Sequence, residues 1–261
     1  VQLNEPDWIE RARRAATFIR SQLWDASTAT LYRCLLDRAP SRVAVAEDLA
    51  FLVRALLDLH QATGEIEWLQ WAAEVQAAFD RHHADPVGGG SFDARHGRSD
   101  VPVAVKSGDD ADGFSPNAVA GHNLVRWAIL LNNPGRTDEA RRLLGAFAAR
   151  LQADAGGVAG MVQVAQALMH PARRIILCGP AEAPEVQEAR HSLALDTLGG
   201  WEVLCLQNET ALAWVSEQGA VSPADGALAP ERPSFYVDGA SGVRAGPYPL
   251  EELHNFLARS R

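Results

Sequence analysis

The chain has 261 residues, with 24 basic and 33 acidic side chains and a formal charge of −9 when histidine is neutral. Hydrophobic residues make up 47% and charged residues 22%, the composition of a globular chain with room for a sizeable core. The acidic balance argues against nucleic acid, whose phosphates select basic surfaces, and no apolar run reaches the roughly 18 residues that would span a membrane.

The pattern predicts a first helix over residues 8–23 and a long polar loop over 24–46 that carries Tyr32 and Arg33. Residues 47–60 (EDLAFLVRALLDLH) are apolar almost all round, with polar breaks at Asp48, Arg54, Asp58 and, just beyond, Gln61. A helix apolar on nearly every face is a buried one. Past Gly64, Trp68, Trp71, Ala72, Val75, Ala78 and Phe79 recur at helical spacing, so a second helix and an αα-hairpin are expected to about residue 81. A second long loop, 82–116, leads to another buried helix over 117–131, broken by His122, Asn123 and Arg126. An Asn-Asn-Pro-Gly turn at 132–135 precedes an amphipathic helix to about residue 151, and 158–169 gives a further apolar helix that Pro171 stops.

The composition changes after Pro171. A strand at 174–179, a helix over 184–198 and a strand at 201–206 read as a βαβ-like unit. A mobile Ala/Pro/Gly/Ser-rich loop is expected over 218–234, then a short strand at 234–237 and a closing helix over 250–259. The expected fold is therefore mainly α: alternating buried and amphipathic helices over 1–170, arranged as part of an α/α toroid, with a small α/β appendage over 171–261. Cys34, Cys178 and Cys205 are odd in number and far apart, which points to free thiols and a cytoplasmic location. Residues 1–5 carry no export signal, and the missing initiator methionine suggests a chain trimmed or cut from something longer.

Three polar clusters interrupt the helical frame. Glu47 and Asp48 stand at a helix start, where carboxylates act as caps or, facing a cavity, as acid, base or hydroxyl acceptor. Gly88-Gly89-Gly90-Ser91-Phe92 is either a tight turn or a close backbone approach to a ligand; no Gly-Lys-Ser/Thr follows, so it is not a nucleotide loop. The stretch from Lys106, the chain's sole lysine, to Asn117 contains Asp109, Asp110 and Asp112 without the spacing or terminal glutamate of a calcium loop, so no metal is expected. Ser115 or Asn117 can cap the next helix, and His122 is either a hydrogen-bonded core histidine or a catalytic one. No cofactor fingerprint is present.

TLYR (30–33), EDLAFLVRALLDLHQATGEIEWLQWA (47–72), the GGGSF loop (88–92), KSGDDADGFSPNAVAGHNLVRWA (106–128) and RRIILCG (173–179) together resemble the spermatogenesis-associated protein 20-like proteins, a thioredoxin-domain-containing family. The resemblance implies a thioredoxin-like domain followed by a six-hairpin α/α toroid similar to glycosidases and N-acylglucosamine epimerases. This chain would begin inside the toroid and lack the thioredoxin domain. It carries over Tyr32, Arg33, Glu47, Asp48, the glycines Gly89 and Gly90, Lys106, Asp110, Ser115 and Asn117. Two departures stand out: Asp-Gly-Ala-x-Pro-Ser-Gly-Asn in the family reads here as Asp-Ala-Asp-Gly-Phe-Ser-Pro-Asn, and Asp238 and Val243 stand near the family's paired cysteines.

Two functions follow as expectations. The first is an epimerase- or glycosidase-like cleft for a carbohydrate-like ligand, with Glu47, Asp48 and His122 catalytic. Tyr32, Arg33, Gly89, Gly90, Phe92, Lys106, Asp110, Ser115 and Asn117 would then contact the ligand. The alternative is a non-catalytic scaffold for a thioredoxin-like domain or the remainder of the toroid.

Overall fold

The computed structural model describes residues 6–97, 100–111, 113–195, 200–221, 228–238 and 244–259. Asp112, Val243, residues 1–5, the end of the helix expected over 184–198 and the centre of the loop expected over 218–234 lie outside them. Ten α-helices and two small sheets are described, a mainly α chain with an α/β part.

Helix α1 (Pro6–Gln22) leads into β1 (Trp24–Asp25), β2 (Thr30–Leu36) and β3 (Ala39–Val43), an antiparallel sheet in that order. This corrects the expected loop over 24–46. The β2–β3 hairpin turns through Asp37 and Arg38, both at positive φ (49° and 66°), the geometry of a two-residue type I′ turn. Asp-Gly would have announced that turn; Asp-Arg does not.

The hairpin α2 (Ala46–Thr63) and α3 (Ile66–His82) matches the expected boundaries closely. Next come α4 (Pro116–Leu130), α5 (Pro134–Ala146), the short α6 (Ala148–Ala153), a 3₁₀ turn (Gly156–Val158) and α7 (Ala159–Met169). The single amphipathic helix expected to residue 151 is thus broken at Phe147. Helices α2, α4 and α7 pack side by side, with α3 against α2 and α5 against α4. Buried Asn123 on α4 donates to the Ala50 carbonyl of α2 at 2.8 Å, fixing the register between these two apolar rods.

The α/β part runs β4 (Arg173–Cys178), α8 (Pro184–Leu195), β5 (Trp201–Leu206), α9 (Glu209–Glu217), β6 (Ser234–Asp238), β7 (Arg244–Tyr248) and α10 (Leu250–Arg259). The sheet order is β5-β4-β6-β7, with β4 and β5 parallel and the other pairs antiparallel. Alternation gives each strand two apolar faces. Ile176, Cys178, Leu204, Leu206 and Tyr236 join the core of the helices, while Ile175, Leu177, Val203, Cys205, Phe235 and Val237 form a second core with α8 and α10.

Edge strand β5 is covered by α2. Gln61 Nε2 donates to the Trp201 carbonyl at 3.2 Å, and the Cys205 N–H donates to His60 Nε2 at 3.4 Å. Beneath them Arg126 of α4 donates to Glu202 at 2.9 Å and also pairs with Asp58 of α2. Arg174 on β4 reaches the carbonyls of Leu130 and Ala220 and pairs with Asp238.

Candidate functional site

The N-termini of α2, α4 and α7 are tied together by the two loops singled out in the sequence. Asp93, just past the glycine loop, accepts the Ser107 N–H at 3.0 Å, while its carbonyl accepts the Ala46 N–H at 2.9 Å. Asn117, fully buried in the first turn of α4, accepts from the Ser91 N–H (2.7 Å) and hydroxyl (3.0 Å) and donates to the carbonyls of Ser91 (3.0 Å) and Ser107 (2.9 Å). Ser115 caps α4, its hydroxyl accepting the Ala118 N–H at 3.2 Å. Asp110 bridges two helix starts: one oxygen takes the Ser115 N–H at 2.7 Å and the other the Gly160 N–H of α7 at 2.6 Å. A carboxylate is well placed there, facing the positive ends of both helices.

Lys106 closes the same belt. Its ammonium donates to Asp85 Oδ2 at 2.7 Å and to the Gly89 carbonyl at 2.6 Å, and lies 4.7 Å from the centre of the Phe92 ring. The Lys106 bond, with the N–H groups of Gly88 and Val87, holds the Asp85 carboxyl down at about 2. Gly89 has φ +73°, and a Cβ there would sit 2.3 Å from the Arg142 carbonyl oxygen, so this glycine lets the loop lie against α5. A cavity of about 300 Å3 opens beside the loop, bordered by Gly89, Gly90, Asp85, Phe79 and Arg136; Glu47, Asp48 and His122 are not among its lining residues.

Asp48 is occupied at the start of α2, where it accepts the Val45 N–H at 2.9 Å and pairs with Arg33 at 2.9 Å. Tyr32 is half-buried on β2, one residue before Arg33. Glu47 points the other way and is exposed. Its spacing places it on one stripe of α2 with Phe51, Arg54 and Asp58, at i+4, i+7 and i+11. Phe51 is 39% exposed, so part of its ring is open to solvent on this stripe.

Opposite this stripe stand Phe114, His122 and Arg126 from α4 and its approach. Arg54 lies 5.9 Å from the Phe114 ring centre. Burial, then the charges of Arg54 and Arg126, lower the His122 pKa and keep the ring neutral at pH 7. Its Nε2 is buried without a hydrogen-bond partner among the described residues. A neutral imidazole close to the Arg54 and Arg126 guanidiniums, on a face that also carries Glu47, Phe51 and Phe114, offers groups that can exchange protons with, and stack against, a polyhydroxylated ring. Phe51 and Arg54 escape a reading based on polar clusters; the signal that finds them is their helical spacing from Glu47, while Phe114 is found only through its contact with Arg54.

The predicted residues therefore divide. Gly89, Gly90, Phe92, Lys106, Asp110, Ser115 and Asn117 meet at the loop end, Arg33 and Asp48 pair beside it, and Glu47 and His122 belong to the α2/α4 face. Among the described residues no cluster of His, Cys, Asp or Glu is placed to hold a metal ion, and no helix is long and apolar enough to cross a membrane.

No family model matches the chain. Spermatogenesis-associated protein 20 of Mus musculus is 32% identical over 69% of this chain and 24% of its own length. The proteins of that name from Rattus norvegicus and Homo sapiens are 31% and 30% identical over 80% and 71% of this chain. A mainly α chain with an α/β part is thus joined to a sequence relationship that runs through most of it. The chain belongs to the spermatogenesis-associated protein 20-like family, and it spans about a quarter of the length of these relatives.

Proposed function

We propose that residues 1–170 are part of an α/α toroid whose α2/α4 face binds a carbohydrate-like ligand, with 171–261 as its α/β appendage. The observation that supports this reading is the stripe of Glu47, Phe51 and Arg54 opposite a neutral His122 whose Nε2 has no partner among the described residues. Phe51 and Phe114 stack on the sugar, Arg54 donates to its hydroxyls or to a carboxylate, Glu47 accepts from its hydroxyls, and His122 exchanges the proton of an epimerase- or glycosidase-like step. Asp48 serves as a helix cap in this scheme. The three free cysteines support a reducing, cytoplasmic setting.

The test is calorimetric titration with neutral hexoses, N-acylated hexosamines and hexuronates. One class should bind, and Phe51→Ala, Glu47→Gln and His122→Gln should each weaken it at least tenfold with little change in melting temperature. Absence of binding across the panel favours the second reading, a scaffold for a thioredoxin-like domain or the remainder of the toroid. That reading draws on the loop end, where Lys106, Asp110 and Asn117 are all engaged by the protein itself.

A further inference from the structure

The α/β part has a more specific architecture than a βαβ appendage. Its chain order is strand, helix, strand, helix, strand, strand, helix, and its sheet places the second strand beside the first, then the third and fourth. The first two strands are parallel and the last two antiparallel to their neighbours. The first and third helices, α8 and α10, cover one face, through Val186, Ala189, Leu193, Leu253 and Leu257. The middle helix α9 covers the other through Ala211 and Val215. Strand order, strand direction and helix sides are together those of the thioredoxin fold. A fold does not fix a function, so the chemistry must be sought at the corner where that fold places it.

We infer that residues 173–259 are a thioredoxin-type unit whose thiol corner is closed by packing, leaving it a brace for the helical body rather than a thiol exchanger. A redox cysteine in this topology works in the turn from the first strand into the first helix, exposed and at the helix's positive end, where the thiolate is stabilised. Here that turn reads Cys178-Gly179-Pro180-Ala181-Glu182-Ala183, with α8 starting at Pro184. Cys178 is the last residue of β4 and fully buried, well short of the helix start. Position 181, where a second thiol of a Cys-x-x-Cys pair would stand, is alanine.

Cys205 cannot take its place. It pairs in register with Leu177, so its side chain and that of Cys178 project from opposite faces of the sheet into separate cores. Burial pushes both thiols up to about 12, so neither is a nucleophile near neutral pH. The corner itself is shut: Gly179, at φ +125°, lies so close to the approach to β6 that a Cβ would be 3.0 Å from the Pro233 Cα. The brace is visible in the contacts that cross to the helices, from Gln61 to Trp201, His60 to Cys205, Arg126 to Glu202 and Arg190 to the Thr63 carbonyl.

Thiol titration with an aromatic disulfide tests the closed corner. In the native protein one thiol, the exposed Cys34, should react rapidly, and all three should react in guanidinium. A Cys34→Ser variant should not accelerate reduction of insulin by dithiothreitol. Rapid native labelling of Cys178, or insulin reduction by Cys34→Ser that is lost in Cys34→Ser/Cys178→Ala, would overturn the inference. The brace is tested in the same Cys34→Ser background by labelling along a urea series. Cys178 and Cys205 should become reactive in the same transition that abolishes the helical circular dichroism. Labelling complete at lower urea than the loss of helix would show the unit opening independently and would sink the brace. Neither arm depends on whether the α2/α4 face binds a sugar.

Discussion

At the loop end of the helices most polar side chains are engaged with one another, the buried Nε2 of His83 being an exception; on the α2/α4 face, several are not. Asn117 makes four hydrogen bonds, Asp110 uses one oxygen on each of two helices, and Lys106 has a carboxylate, a carbonyl and an aromatic ring. Glu47, by contrast, is exposed, Phe51 is open to solvent, and the Nε2 of His122 is buried without a partner among the described residues. A dense polar cluster in an apolar frame can be the means by which loops are fastened to helix ends. Groups left unengaged are the better sign of a ligand.

The comparison can be broken most forcefully under the α2/α4 face. Arg126→Met leaves Glu202 buried without its cation, and we expect a loss of about 3–5 kcal/mol in urea unfolding. A loss under about 1 kcal/mol would mean the charge network there is as dispensable as a surface pair. At the loop end, Asn117→Ala strands the Ser91 N–H and the carbonyls of Ser91 and Ser107, and should cost roughly 3 kcal/mol. If it left stability intact but altered ligand binding, the loop end would be the functional region after all.

Acid separates the interior from both regions. His60 is enclosed, its Nδ1–H directed to the Glu65 carbonyl and its Nε2 accepting from Cys205, and burial lowers its pKa from 6.5 to about 4. The unfolded chain therefore binds a proton the native state refuses, so stability is complete above pH 6.5 and falls between pH 6.5 and 4. The slope for this residue is about 1.4 kcal/mol per pH unit at most. His83, lowered to about 4 by its own burial, acts in the same direction. Melting temperatures across this window should fall steadily, and His60→Gln should flatten the fall. The smallest effect is expected at Glu47→Gln, within about 0.5 kcal/mol of the parent; a larger loss would return Glu47 to a capping role.

The helices were legible because their burial is written as a 3.6-residue period, and α2 and α3 end where Gly64 and the last apolar positions place them. The first sheet was not, because the β2–β3 turn is made by Asp37-Arg38, held at positive φ by the strands around it rather than by glycine. Strand β7 was hidden by Gly246-Pro247, which no alternating pattern survives, and α9 by its small size. At the site, residue types pointed to Lys106, Asp110 and Asn117 because they are polar in an apolar setting. Whether such a group is already engaged depends on partners 17 to 50 residues away, as with Lys106 and Gly89 or Asp110 and Gly160. No local window contains that information.

Because Lys106 is the chain's sole lysine, its ε-amine is also the only side-chain amine in the molecule. Acylating reagents, and enzymes that acetylate or ubiquitinate lysine, find a single side-chain target, and it is held in an ion pair beneath a glycine loop. A label that keeps the charge, such as reductive methylation, would report on that one side chain, the ammonium held between Asp85 and the Gly89 carbonyl.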